Sequence, residues 1–126
     1  MRRSISIALV AVLVAGALVL AIEASGARVS GTVRSKVSIS FSSTTHQFKG
    51  RVRSGAGVCK RKRMVRTYLV QDGADQPEGS DRTNKKGRYV ITHTGGEQRY
   101  YAKALKKVSG NTTCKAKKSR TIQVNF

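Results

Sequence analysis

At 126 residues and 39% hydrophobic content, the chain is long enough for one domain with its own core and too apolar to be wholly disordered. Twenty-five lysines and arginines against six aspartates and glutamates give a formal net charge of +19. Such a charge repels itself within a compact fold and calls for an anionic partner or setting: nucleic acid, anionic lipid headgroups or a cell-envelope polymer. The plainer role of the charge is to keep a secreted domain soluble.

Arg2 and Arg3 precede an almost purely apolar run, Ile5 to Ile22, which the small residues Ala24, Ser25, Gly26 and Ala27 follow. That order is the order of a secretory signal, so residues 1–27 are expected to form a signal helix cleaved after Ala27, with Ser25 at −3. Cleavage after Ala24 is the alternative and puts Ile22 at −3. The run exceeds the usual ~7–15 residues and approaches the ~20 that span a bilayer, so a retained signal anchor is a third outcome. Cleavage takes away Arg2, Arg3 and Glu23, leaves 23 basic and 5 acidic residues for a net charge of +18, and leaves no transmembrane span. The protein is accordingly placed outside the cell, secreted or at its surface.

Two cysteines, Cys59 and Cys114, are expected to pair in an oxidising compartment. The bond closes a loop of about 55 residues, worth at most ~4 kcal/mol in the chain-entropy model. No metal or other cofactor is expected, because these cysteines and the two histidines, His46 and His93, lack the close spacing of a ligand set.

Residues 28–36 read as a flexible polar segment and residues 37–126 as a β domain. Val37, Ile39 and Phe41 alternate with polar residues as a short strand; His46, Phe48, Gly50 and Val52 alternate with Gln47, Lys49, Arg51 and Arg53 as a cleaner one. Ser54 to Val58 is a glycine-containing loop. Met64 to Val70 reads as a central strand whose inner set is either Val65-Thr67-Leu69 or Met64-Tyr68-Val70. Gln71 to Ser80 carries Asp72, Asp75 and Glu78 around Pro77, an exposed loop or a short edge strand. Asn84 to Gly87 makes a turn into a strand with Tyr89, Ile91 and His93 on one face. Tyr100, Ala102 and Ala104 share a face of the next strand; Lys106 to Lys118 reads as a long polar loop, and Ile122, Val124 and Phe126 close the chain. Six or seven short strands with no helical periodicity beyond the signal indicate an all-β fold, a single β-sandwich of about 80 ordered residues.

Thr83-x-x-x-Gly87-x-Tyr89-x-Ile91, followed by Gly96 and Tyr100-Tyr101-Ala102, resembles the hairpin of a group of extracellular sandwich modules. These are the transthyretin-like, carboxypeptidase-regulatory-like and Cna-B-type domains; Asn84 stands where the group commonly has aspartate, and Phe48-x-Gly50-x-Val52 is similar to its opening strand. The chain is also similar to small basic secreted bacterial proteins with this hairpin, the Tyr100-Tyr101-Ala102-Lys103 run and two cysteines. The resemblance covers roughly Gln47 to Phe126 and implies an immunoglobulin-like or prealbumin-like sandwich serving as a non-catalytic accessory or surface module. Lysine, asparagine and acid positions for an isopeptide crosslink are not matched.

Lys60, Arg61, Lys62 and Arg63 follow Cys59, and Lys115, Lys117, Lys118 and Arg120 follow Cys114. A disulfide brings its Cα atoms within roughly 4.4–6.8 Å, so the two runs are expected to merge into one polyanion-binding patch. Stacking aromatics do not interleave with these cations, Tyr101 being the exposed candidate, so nucleic acid is less favoured than an anionic envelope polymer. A secreted cationic effector acting on membranes or extracellular nucleic acid is the alternative, although Lys60 to Arg63 lacks the broad apolar face that membrane attack requires. Catalysis by His46 and His93, as base and acid on a phosphodiester, is weighed against their places on core-facing strand sides, and no catalytic site is expected.

Overall fold

The computed structural model describes residues 31–126; the signal reading of residues 1–27 lies outside the described residues. Strand β4 (Gln47–Ser54) is the axis of one sheet. Its alternation puts Phe48 and Val52 fully inside while Lys49 and Arg53 face water. β7 (Arg88–Thr92) pairs along one of its edges, and β2 (Ser35–Val37) and β3 (Ser40–Ser42) share the other. The strand expected over Val37–Phe41 is thus split in two. The break falls at Ser38–Ile39, where the Ser38 N–H donates to Arg51 O at 3.0 Å and the Tyr89 hydroxyl donates to Ser38 O at 2.5 Å.

Residues 31–36 are not the flexible segment that their polarity suggested. Gly31–Val33 forms β1 and Ser35–Val37 forms β2, with Ser35 buried. Polar residues fill these strands because Arg34 and Lys36 look outward from an edge, not because the segment lacks partners.

The second sheet runs β11 (Lys117–Lys118), β8 (Arg99–Ala104), β5 (Met64–Leu69), β6 (Gln76–Arg82), with β12 (Ile122–Gln123) also on β8. In β5, Val65 and Thr67 are buried and Leu69 packs against the core, which settles the open choice of inner face. β6 is a seven-residue edge strand carrying Pro77, as an edge permits, and its register with β5 shifts at Thr67/Tyr68. The third sheet, β1-β10-β9, contains a hairpin where a long loop was expected. β9 (Lys107–Ser109) and β10 (Thr112–Cys114) are joined through Gly110, whose φ of 58° suits glycine.

One core joins the two larger sheets: Phe48, Val52, Tyr89 and Ile91 from one, Val65, Tyr100, Ala102 and Ala104 from the other, closed by Ile39 and Val124. The domain is all-β, with twelve strands and one turn of helix among the described residues. No helix among these residues is long and apolar enough to cross a membrane. Gly50 stands opposite Tyr89 in the ladder, and a Cβ there would run into the Ser38 carbonyl and the Tyr89 hydroxyl. Gly50→Ala is therefore expected to cost about 2 kcal/mol through overpacking, read as a lowered thermal midpoint; an unchanged midpoint would refute this packing.

Candidate polyanion-binding surface

Cys59 lies in the single helical turn α1 (Gly57–Lys60), Cys114 ends β10, and the two are disulfide-bonded with Cα atoms 5.5 Å apart. Four residues beyond Cys59, Arg63 is completely buried. Its Nε donates to Leu105 O at 2.6 Å, Nη1 to Cys59 O at 2.8 Å and Ser35 Oγ at 3.1 Å, and Nη2 to Lys115 O at 2.6 Å. Arg63 therefore does not belong to a polyanion-binding surface. A guanidinium has five donors in a fixed fork, enough to be satisfied by carbonyl and hydroxyl oxygens without a carboxylate. Burial pushes its pKa below the usual arginine value. Lys62, at φ 49°, takes the left-handed conformation just before Arg63.

Thr83, the first residue of the turn motif, ties down the same run. Its Oγ1 accepts from the Arg63 N–H at 2.7 Å and donates to Lys60 O at 2.6 Å, while its carbonyl accepts from the Lys62 N–H at 3.0 Å. The turn that follows is closed by Asn84 Oδ1, which accepts from the N–H groups of Lys86 and Arg88 at 2.9 and 3.0 Å.

The remaining seven expected cations do not share one surrounding. Arg61 and Lys62 lie near Lys107, which faces Cys114 across the β9–β10 ladder, whereas the Lys60 stem lies against Gly87. Lys107 Nζ donates to Val58 O at 2.8 Å and Arg61 O at 3.0 Å; partial burial, then the charges of Arg61, Arg63, Lys62 and Arg82, hold its pKa below the usual lysine value. Lys115 and Lys117 instead line a cleft of about 700 Å³ with Arg34, Lys36 and Arg53. Lys118, pointing to the other side of β11, has its Nζ 4.7 Å from the Tyr101 ring centre. Arg120 donates from Nη2 to Ile39 O at 3.3 Å and borders a separate groove with Phe41 and Ile122. Arg34, Lys36, Arg53, Arg82 and Lys107 were not singled out from sequence, because only strand register brings them beside the others.

Tyr101 is not an exposed stacking platform. It is 7% exposed, lies nearly parallel to its cross-strand partner Tyr68 at 5.3 Å, and donates from its hydroxyl to Asp75 Oδ2 at 2.8 Å. Burial first, and then the Asp75 bond and charge, push its pKa up to about 12; the same bond holds the Asp75 carboxyl below its usual value.

Register exposes a feature of the charge that composition hides. Arg66 on β5, Lys103 on β8 and Lys118 on β11 stand opposite one another in a row across three strands. Arg51 faces Arg88, and Lys36 faces Arg53. Like charges directly opposite destabilise a sheet, typically by a few tenths of a kcal/mol per pair. Asp75 is near enough to Lys118 for the two charges to attract, but no carboxylate pairs directly with these cations. Asp75 serves Tyr101; Glu78 Oε1 meets His93 Nδ1 at 2.7 Å; Asp81 accepts from the Val90 N–H and Glu97 from the Phe126 N–H. Among the described residues the Glu78–His93 contact is the one ion pair, so no lysine or arginine there has a carboxylate within 4.0 Å.

His93 is buried with both ring nitrogens engaged, Nδ1 with Glu78 and Nε2 with Gly96 O at 3.0 Å, whereas His46 is exposed at φ 54°. A two-histidine acid–base site needs a free nitrogen on each ring, and His93 has none to offer. No cluster of three or more potential metal ligands occurs among the described residues. Compared with protein-family models, curated proteins and solved structures, the chain matches none.

Proposed function

We propose that this protein is a non-catalytic secreted or cell-surface module of the immunoglobulin-like or prealbumin-like sandwich type, which holds to an anionic cell-envelope polymer by electrostatic contact. The observation that carries the reading is the set of cation rows with no carboxylate in direct contact, above all Arg66–Lys103–Lys118. A domain that keeps like charges opposite one another bears a standing cost, which a polyanion laid across the row offsets. The Cys59–Cys114 bond is compatible with an oxidising, extracellular setting.

The test is retention of the full chain on isolated cell envelope, on anionic vesicles and on nucleic acid, each across a series of salt concentrations. Selective retention on envelope is expected, falling steeply with salt because exposed charges are screened within about 10 Å at 0.1 M. Lys103→Gln combined with Lys118→Gln should weaken it and flatten its salt dependence. Equal weak binding to all three materials would sink the reading, and vesicle leakage would point to a membrane-directed effector instead.

A further inference from the structure

The cleft beside the disulfide differs from the rest of the basic surface. Five cations line it, Arg34 and Lys36 from the β2 region, Arg53 from β4, and Lys115 and Lys117 from the link between β10 and β11; its lining contains no carboxylate. Two of them, Lys36 and Arg53, are direct cross-strand partners. All five are solvent-exposed, and none is in an ion pair.

Beneath this rim the cleft is built rather than incidental. Ser35 and Lys115 belong to its lining, and the buried Arg63 holds both, the first by its hydroxyl oxygen and the second by its carbonyl. The Ser35 hydroxyl therefore already accepts a bond from a cation, which leaves its hydrogen as the available donor. The Lys115 N–H is bonded to Val33 O at 3.0 Å, which ties the β10 end of the cleft to β1.

From this arrangement we infer that the cleft is a phosphate-binding subsite. The inference rests on the envelope-polymer reading above and adds the chemistry of the polymer's repeating charge. A carboxylate offers two oxygens in one plane. A phosphate group distributes its oxygens around a tetrahedron, and donors arriving from three chain segments, with arginine forks among them, match that distribution. A bound phosphate also sits between Lys36 and Arg53, relieving the repulsion the ladder imposes on them.

Amide shifts of the full chain, followed by NMR during titration with inorganic tripolyphosphate and separately with citrate, test this. Saturable shifts confined to Ser35, Ser54, Gly55 and Lys115 to Lys117, stronger for tripolyphosphate, are the expected result. Arg53→Gln with Lys117→Gln should weaken the phosphate probe on the order of tenfold. Lys85→Gln with Lys86→Gln, an equal charge loss in the exposed turn, should weaken it much less. An oligomer of glycerol phosphodiester, added as a third probe, separates an internal repeating phosphate from a terminal one. Equal weakening by the two double variants, shifts spread over the whole basic surface, or citrate binding as tightly would overturn the inference. The two proposals fail separately. Phosphate shifts that are not confined to the cleft, with envelope retention intact, defeat the subsite alone, whereas localised phosphate binding without envelope retention defeats the envelope reading alone.

Discussion

Arg63→Met is expected to lower the stability of the domain by about 3 kcal/mol or more. Methionine follows much of the path of the arginine stem but donates nothing, so the carbonyls of Cys59, Leu105 and Lys115 lose a partner in a site without solvent exposure. Each buried acceptor left unpaired costs roughly 1–3 kcal/mol, and the desolvated charge that disappears returns part of this. At about 4–8 °C per kcal/mol for a domain of this size, the thermal midpoint should fall by more than 10 °C. Arg63→Lys should fall between, because one ammonium cannot span acceptors that the planar fork reaches on three sides. Lys62→Met, one residue earlier and exposed, is expected to change stability by less than about 0.5 kcal/mol. Similar small effects at both positions would contradict the buried placement of Arg63.

Removing the disulfide by Cys59→Ala with Cys114→Ala is expected to cost roughly 2–5 kcal/mol, the usual range for a native bond in a small domain. The size follows from the long loop that the bond closes in the unfolded chain, a sequence separation of 55 residues. It has a second consequence, because Arg63 bonds to the carbonyl of Cys59 and to that of Lys115, the residue after Cys114. Bridge and guanidinium hold the same two segments together. The triple variant lacking both should therefore lose less than the separate losses combined, a coupling on the order of 1 kcal/mol, read from denaturant unfolding of the four proteins. Strict additivity would mean that the two ties act on independent parts of the structure.

The strands that face the core could be read from the sequence because burial imposes a period of two on β4, β7 and β8, and because Gly87 and the residues around it punctuate the turn. Two elements were less legible. β6, read as an exposed loop or a short edge strand over Gln71 to Ser80, is an edge strand of charged and small residues, Gln76 to Arg82, and few of its side chains need to be apolar. The β9–β10 hairpin packs on the disulfide and not on the main core, so its inward residues are Thr112 and Cys114 and its alternation is weak. The Gly110–Asn111 pair was the available sign of its turn.

The candidate site was legible in a similar, partial way. The cysteine pairing and the basic runs beside it stand out in the sequence, but the direction of each side chain does not. Nothing in Lys60-Arg61-Lys62-Arg63 marks the last residue as internal; the left-handed Lys62 and the receptor for its neighbour, Thr83, are features of the folded backbone. Arg66, Lys103 and Lys118 are far apart in the chain and become a row only when β5, β8 and β11 take their register.

The acids supply a last consequence. All five in the described domain lie on β6, on the turn leading into it, or on the turn before β8: Asp72, Asp75, Glu78, Asp81 and Glu97. The cations occupy the other strands and loops as well, so the centres of positive and negative charge do not coincide. Beside any anionic surface such a separation of charge adds a torque to the attraction, so that the domain's approach would depend on its orientation as well as on its net charge.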